Sequence, residues 1–311
     1  MIPFFAVLGA LALGFAVFLL YIAVRYVPII ERNAFNVPRH RLPDDFTESG
    51  ALIREDRVPL GDGGDLIVRR AAAAGKARGI ALFCHETGAG WKSWTKHAGF
   101  LPNAGFDVIA FDYEAGPETC QWPAASELKK IEAVLAWIWR EQKGVPVVAF
   151  GVSKGAVLAS ATLWHPAVQA AVLDGIFSTY ATFENYMRKW VTIYVTPESV
   201  ARAVPGFVYA MLSRLAIFYA GLRKRDRFFS AEDFSARFHK PALLVHAGKD
   251  HFASTAEVER IRGLFRAPAR IWIAEGAAHS ESARKQPDAY RSQILAFLQE
   301  NLIPEKAEAG R

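Results

Sequence analysis

Ser153 stands in Gly151-Val152-Ser153-Lys154-Gly155, a G-x-S-x-G pattern that can make a serine a nucleophile. An apolar run, 145–150, precedes it, and a run of small residues, 156–161, follows. Strand, tight turn, helix is the context in which this pattern does chemistry. The glycines let the chain turn where a Cβ would strike the neighbouring strand or helix. The Oγ is then left at a helix N-terminus, where backbone N–H groups favour developing negative charge. A serine hydroxyl is a weak nucleophile at neutral pH, so it needs a base within hydrogen-bond reach. The pattern therefore directs attention to the histidines and to the carboxylates that could orient one of them.

The elements that must hold such a site are legible from about residue 51. Residues 51–60 and 65–71 flank Gly61-Asp62-Gly63-Gly64, a hairpin signature. Apolar runs at 79–84, 107–112, 145–150, 170–173, 241–246 and 270–274 read as strands. Residues 91–103, 126–142, 255–265 and 287–302 read as helices. In the second of these, Leu128, Ile131, Leu135 and Ile138 repeat at helical spacing. Ser254 with Glu257 has the form of a capping box. Residues 178–238 break the alternation. The pattern predicts an α/β fold, with a mostly parallel sheet and helices on both faces.

The chain has 311 residues, a formal net charge of +6 and 52% hydrophobic residues. It carries no zinc-finger spacing, RNP-like motif or sustained basic helix, so nucleic acid is not an expected partner. Cys84 and Cys120 make no disulfide framework. Residues 2–24 contain no charged side chain and are long enough to cross a bilayer as a helix. No basic n-region precedes them, so an uncleaved transmembrane anchor over 1–25 is expected rather than a signal peptide. Arg25, Arg32, Arg39 and Arg41 follow, which places the C-terminal side in the cytoplasm by the positive-inside rule. Residues 26–50 read as a juxtamembrane linker in which Pro28, Pro38 and Pro43 limit helix.

Over roughly 51–302 the chain resembles the α/β-hydrolases, and most closely the membrane-tethered members with one N-terminal helix. The resemblance implies chain order serine, acid, histidine, each on a loop after a strand. Besides the elbow at Ser153, residues 241–250 (PALLVHAGKD) resemble the family's strand and acid loop, which makes Asp250 the acid. Residues 271–279 (IWIAEGAAH) resemble its last strand and histidine loop, which makes His279 the base. Asp174 sits where some family lipases carry the acid and is the alternative. His165, His239, His246 and His251 fit the base position less well. The oxyanion donors implied are the backbone N–H groups of Lys154 and Thr87. Glu86 departs from the pattern, occupying a position where the family often has glycine. Residues 178–238 fall where the family inserts a cap. Apolar 203–222, with Arg214 in its middle, is read as a cap helix because a membrane crossing there would separate Ser153 from Asp250 and His279. Arg223, Lys224, Arg225 and Arg227 follow it and could meet anionic headgroups. Residues 303–311 are a tail. The expected activity is serine hydrolysis of the carboxylic ester of an apolar acyl or lipid substrate. Membrane contact is expected through the N-terminal helix and the cap, and no metal or organic cofactor is implied. A thioesterase is the nearest alternative, with Lys154 suited to CoA phosphates. A non-catalytic scaffold of the same fold is the other.

Overall fold

The computed structural model describes residues 2–38, 52–61, 63–114, 118–194 and 204–302. Eight strands form one sheet: β1 (Ile53–Pro59), β2 (Asp65–Ala71), β3 (Gly79–Cys84), β4 (Phe106–Phe111), β5 (Val147–Val152), β6 (Val168–Asp174), β7 (Ala242–Ala247) and β8 (Ala269–Ala274). Their order is β1-β2-β4-β3-β5-β6-β7-β8. β2 pairs antiparallel with both β1 and β4, and every other pairing is parallel. β3, β4, β5 and β7 are buried along their whole length. This is why their sequences are continuous apolar runs: helices cover a parallel sheet on both faces.

The period-two alternation of β5 shows the layering. Val147 and Ala149 belong to one apolar cluster, with Leu128, Ile131 and Leu135 of α3 (Ala125–Glu141) and Val157 of α4 (Lys154–Ala161). Val148, Phe150 and Val152 point into the other, with Tyr290, Ile294, Phe297 and Leu298 of the C-terminal helix, Pro287–Leu302. The switch from β5 to α4 places Ser153 at the C-terminal edge of the parallel strands. Asp250 follows β7 and His279 follows β8 on the same edge.

Several local features differ from expectation. Residues 91–103 form only a 3-10 turn, Trp91–Ser93, and a single helical turn, α2 (Trp94–His97), because Gly99, Pro102 and Gly105 break the chain soon after. The expected capping box is half present. Ser254 Oγ accepts the Glu257 N–H at 3.2 Å, but the Glu257 carboxylate instead accepts the Ser178 N–H at 2.6 Å and the Thr182 hydroxyl at 3.0 Å. It thereby ties the helix Thr255–Arg262 to the start of α5 (Thr179–Tyr194).

The first helix, α1 (Ile2–Ala34), runs straight through Pro28. Proline removes one backbone donor and ordinarily stops a helix. Here burial outweighs it: Val27, Ile30, Glu31 and Ala34 are packed inside the fold. Trp122 Nε1 donates to the Ala34 carbonyl at 2.9 Å. Phe35 follows, fully buried, with ring contacts to Phe183 at 5.5 Å and Phe228 at 5.0 Å. The last turns of α1 are thus part of the globular core, beside α5 and α6 (Gly206–Lys224). α1 is also long and apolar enough to cross a membrane. Residues 39–50 of the expected linker lie outside the described residues, as does the tail 303–311.

Candidate active site

Ser153 has φ 53° and ψ −118°, a conformation that costs a non-glycine residue roughly 1–3 kcal/mol. The surroundings force it. A Cβ on Gly151 would lie 2.2 Å from the Gly155 carbonyl oxygen, and one on Gly155 would lie 2.1 Å from that of Cys84. The Ser153 N–H is fixed by the Asp174 carbonyl at 2.7 Å. Held this way, Ser153 Oγ is 2.8 Å from His279 Nε2.

His279 Nδ1 lies 2.6 Å from Asp250 Oδ2. A carboxylate only accepts, so this contact assigns the ring proton to Nδ1 and leaves Nε2 free to accept from the serine. Asp250 Oδ1 is held separately by the N–H groups of Phe252 at 2.7 Å and Ala253 at 3.0 Å. Burial opposes the Asp250 charge, but His279 and these two N–H donors overcome it and hold the carboxyl below its ordinary value. The Asp250 side chain is fully buried while that of His279 is 22% exposed. The row therefore runs from a sealed acid to an accessible base and nucleophile. Asp174, the alternative acid, faces elsewhere: its Oδ2 accepts from Tyr290 Oη at 3.1 Å and lies 3.7 Å from His97 Nδ1. His246 reaches Thr255 Oγ1 at 3.0 Å, not the serine.

Among the described residues, neither the Thr87 nor the Lys154 backbone N–H is given to an acceptor. The loop carrying Thr87 is tethered on both sides of it. Tyr113 Oη donates to the His85 carbonyl, and the Gly88 N–H donates to Glu114 at 3.0 Å. Glu86 is turned onto α2, where it accepts from Ser93 Oγ and lies 3.6 Å from His97 Nε2. Burial would raise Glu86, but His97 and Ser93 outweigh it and hold the carboxyl well below the usual range. Burial likewise opposes a charge on His97, yet Asp174 and Glu86 on its two sides push it above its ordinary value. α2 also reaches the histidine loop, since Lys96 Nζ donates to the Ser280 carbonyl at 3.1 Å.

The Lys154 side chain was read as a partner for phosphates. It is instead fully buried. Its ammonium donates to Glu114, to Glu127 at 2.7 Å and to the Cys120 carbonyl at 2.8 Å. Burial opposes the Lys154 charge but the two glutamates keep it raised. Glu114 is lowered despite burial, by Lys154 and His85, whereas burial wins at Glu127 and raises it. Sequence reasoning missed this cluster. Its signal was a lone lysine among small and apolar residues at the start of a buried helix.

These shifts set a pH dependence for stability. Glu86, Glu114 and Asp250 are lowered in the fold, so what they contribute is present above their unfolded values, about pH 4, and is lost as pH falls through their folded values. Glu127 and Glu257 are raised, so what they contribute is present below about pH 4 and is lost as pH rises through their folded values. Glu232 and Glu281 are lowered as well and Glu132 is raised, so five lowered carboxyls oppose three raised ones. The urea midpoint is therefore expected to fall sharply below about pH 4 and to decline only gently above it, in a series of melts from acid to neutral pH.

Beyond His279 the wall is aromatic. The Phe252 ring lies 4.9 Å from the His279 ring and 4.9 Å from Phe177, and Trp122 stacks on Phe252 at 6.1 Å. Trp122 in turn meets Phe35, so the end of α1 and the histidine share one aromatic cluster.

No family model matches the chain. Two curated relatives, both "Uncharacterized protein YfhR", from Escherichia coli O157:H7 and strain K12, are 23% identical over 302 residues, covering 94% of this chain and 95% of theirs. Among solved structures, the Pyrococcus furiosus esterase Pf2001 superposes with a TM-score of 0.62 at 16% identity, over 86% of this chain and 97% of that one. An alpha-beta serine hydrolase homologue from Coxiella burnetii gives 0.52 at 15%, over 79% and 97%. Strand order, the elbow after β5 and these superpositions lead to one conclusion: the chain has the α/β-hydrolase fold.

Proposed function

We propose that the protein is a membrane-anchored serine hydrolase that cleaves the carboxylic ester of an apolar acyl or lipid substrate. The observation that carries this reading is the unbroken hydrogen-bonded row from Ser153 Oγ through His279 to Asp250. Names among the solved neighbours, esterase and serine hydrolase homologue, agree with it.

In this reading His279 Nε2 takes the Ser153 proton as Oγ attacks the ester carbonyl. Asp250 holds the imidazole in the required tautomer and stabilises the imidazolium. The carbonyl oxygen, now negative, is received by the Thr87 and Lys154 backbone N–H groups, the second at the N-terminus of α4. His279 then gives its proton to the leaving alcohol. Water, activated by the same histidine, releases the acid from the acyl-enzyme. The charge of Glu86 does not oppose the oxyanion directly, because its oxygens are engaged by Ser93 and His97. The aromatic cluster beside His279 suits an apolar acyl group. α1 serves as the anchor, with Arg25 and Arg32 setting the catalytic domain on the cytoplasmic side.

The thioesterase reading loses one of its supports, since a fully buried Lys154 cannot meet a CoA phosphate. Side-by-side turnover of matched acyl esters and acyl-CoAs, with Ser153→Ala as the blank, tests the choice. The ester is expected to be the better substrate by kcat/KM. Faster turnover of the acyl-CoA would assign the chain to thioesters. No turnover of either would favour a scaffold.

A further inference from the structure

α6 was the apolar stretch that resembled a second membrane crossing. In the fold it packs against α1 on one side and α5 on another. Its third side is unpartnered: Phe207, Arg214, Leu215, Phe218 and Leu222 are exposed, at the spacing of one helical face. Phe207 is 57% exposed.

The two helices run side by side in the same direction. Their C-terminal ends meet where Lys224 Nζ donates to Asn36 Oδ1 at 2.6 Å. Further back, Leu19, Ile22 and Ala23 of α1 are still partly buried against the core, and α6 is the helix that α1 packs on. Phe207 precedes Lys224 by about 25 Å of helix. The same length measured back from Asn36 reaches Leu19. Phe207 is thus within about a turn of Leu19 in height, and Arg214 within about a turn of Arg25 and Tyr26.

That level decides what covers the face. Around it α1 is still within its uncharged run, and Leu20, Tyr21 and Val24 all point outward, the last 69% exposed. The first charge of α1, Arg25, comes at about the same height as the first exposed charge of α6, Arg214. Tyr26 lies beside them, at the position an interfacial aromatic takes. Above this height lie the charges, Arg32 on α1 and Arg223, Lys224, Arg225 and Arg227 at the end of α6, with Leu215, Phe218 and Leu222 exposed between Arg214 and that basic end. Below it both expose apolar side chains, and Ile193 at the end of α5 is exposed as well. On α5, Arg188 is paired with Glu184 at 2.5 Å and lies over the Tyr209 ring at 4.6 Å, and Lys189 Nζ donates to the His251 carbonyl at 3.2 Å.

We propose that the N-terminal half of α6 is embedded in the same leaflet as α1, with Phe207 and Met211 in the acyl–headgroup boundary and the basic end, Arg223, Lys224, Arg225 and Arg227, facing anionic headgroups. The proposal rests on the reading of α1 as a membrane anchor. The depth it requires, one or two helical turns below Arg214, is that of an interfacial helix. Its consequence for the site is direct. α5 flanks the site, since its Tyr186 ring lies 6.5 Å from Phe252, which lies 4.9 Å from His279, so a lipid acyl chain passes from the leaflet to the serine beside α5, the neighbour of the immersed α6.

Single-cysteine labelling of the full chain in vesicles tests this. Cys84 and Cys120 interfere little, because burial pushes both thiols up to about 12 and keeps them unreactive. An environment-sensitive fluorophore is placed at Leu13→Cys, Phe207→Cys, Phe218→Cys or Lys143→Cys, in phosphatidylcholine vesicles with a third of anionic lipid and a doxyl-lipid quencher. The labels at Leu13 and Phe207 are expected to be quenched strongly, that at Phe218 less, and that at Lys143 not at all. Quenching at Leu13 with none at Phe207 overturns the proposal and leaves the anchor standing. No quenching at Leu13 overturns the anchor, and the proposal with it. As a second readout, Phe207→Glu with Met211→Glu is expected to lower turnover of a vesicle-borne ester severalfold while leaving a soluble short-chain ester unaffected. Equal loss on both substrates contradicts the proposal.

Discussion

Asp250→Asn is expected to lower kcat for a short-chain ester by about 10⁴-fold while the protein remains folded. The change is isosteric, and Oδ1 can keep the Phe252 and Ala253 N–H groups. At the Oδ2 position, however, an amide N–H₂ would face His279 Nδ1. The ring must then carry its proton on Nε2, where it cannot accept from Ser153. Asp174→Asn makes the complementary comparison. Asp174 touches Tyr290 and His97 rather than His279, and its link to the serine is through its backbone carbonyl. That variant is expected to lose stability through the buried His97 contact and to keep kcat within about tenfold of wild type. Steady-state kinetics with active-site titration, beside circular-dichroism melts, separates the two. A larger loss of kcat at Asp174 than at Asp250 would reverse the assignment of the acid.

Lys154→Met is expected to cost about 3–5 kcal/mol of stability, the usual penalty for stranding a buried charge. The methionine fills the space but leaves Glu114 and Glu127 without their cation. The effect should reach the chemistry as well. Glu114 holds the Gly88 N–H beside Thr87, and Lys154 follows the nucleophile, so one buried ion pair spans both sides of the expected oxyanion site. Adding Glu114→Gln and Glu127→Gln removes the stranded charges and is expected to restore much of the lost stability. Urea unfolding with an unchanged m-value checks this. A single variant as stable as wild type would mean that the cluster carries little energy.

The sheet was legible because parallel strands buried on both faces leave continuous apolar runs, as in 79–84 and 107–112. The turn at Ser153 was legible because only glycine fits at 151 and 155. Asp250 and His279 were reached through the resemblance of their loops to a family, not through periodicity, and the fold brings both to the serine. What stayed hidden depends on long-range packing. Nothing local says that α1 survives Pro28; the reason is its burial against α6, nearly 200 residues away. Trp91–Asn103 has helical composition, but Gly99 and Pro102 confine helix to one turn. Glu86 looked like a charge beside an oxyanion, and its partners Ser93 and His97 become visible only when α2 is placed. Glu257 likewise fits a local cap by spacing, yet its carboxylate serves the N-terminus of another helix.

The central claim is that Ser153 is the nucleophile. It is tested most directly by treating the full-length protein with a fluorophosphonate and locating the adduct by peptide mass spectrometry. The account predicts a stoichiometric adduct on Ser153, its loss in Ser153→Ala, and slowed labelling in His279→Ala. A folded wild-type protein that takes up no probe, or that is labelled equally in Ser153→Ala, would contradict it.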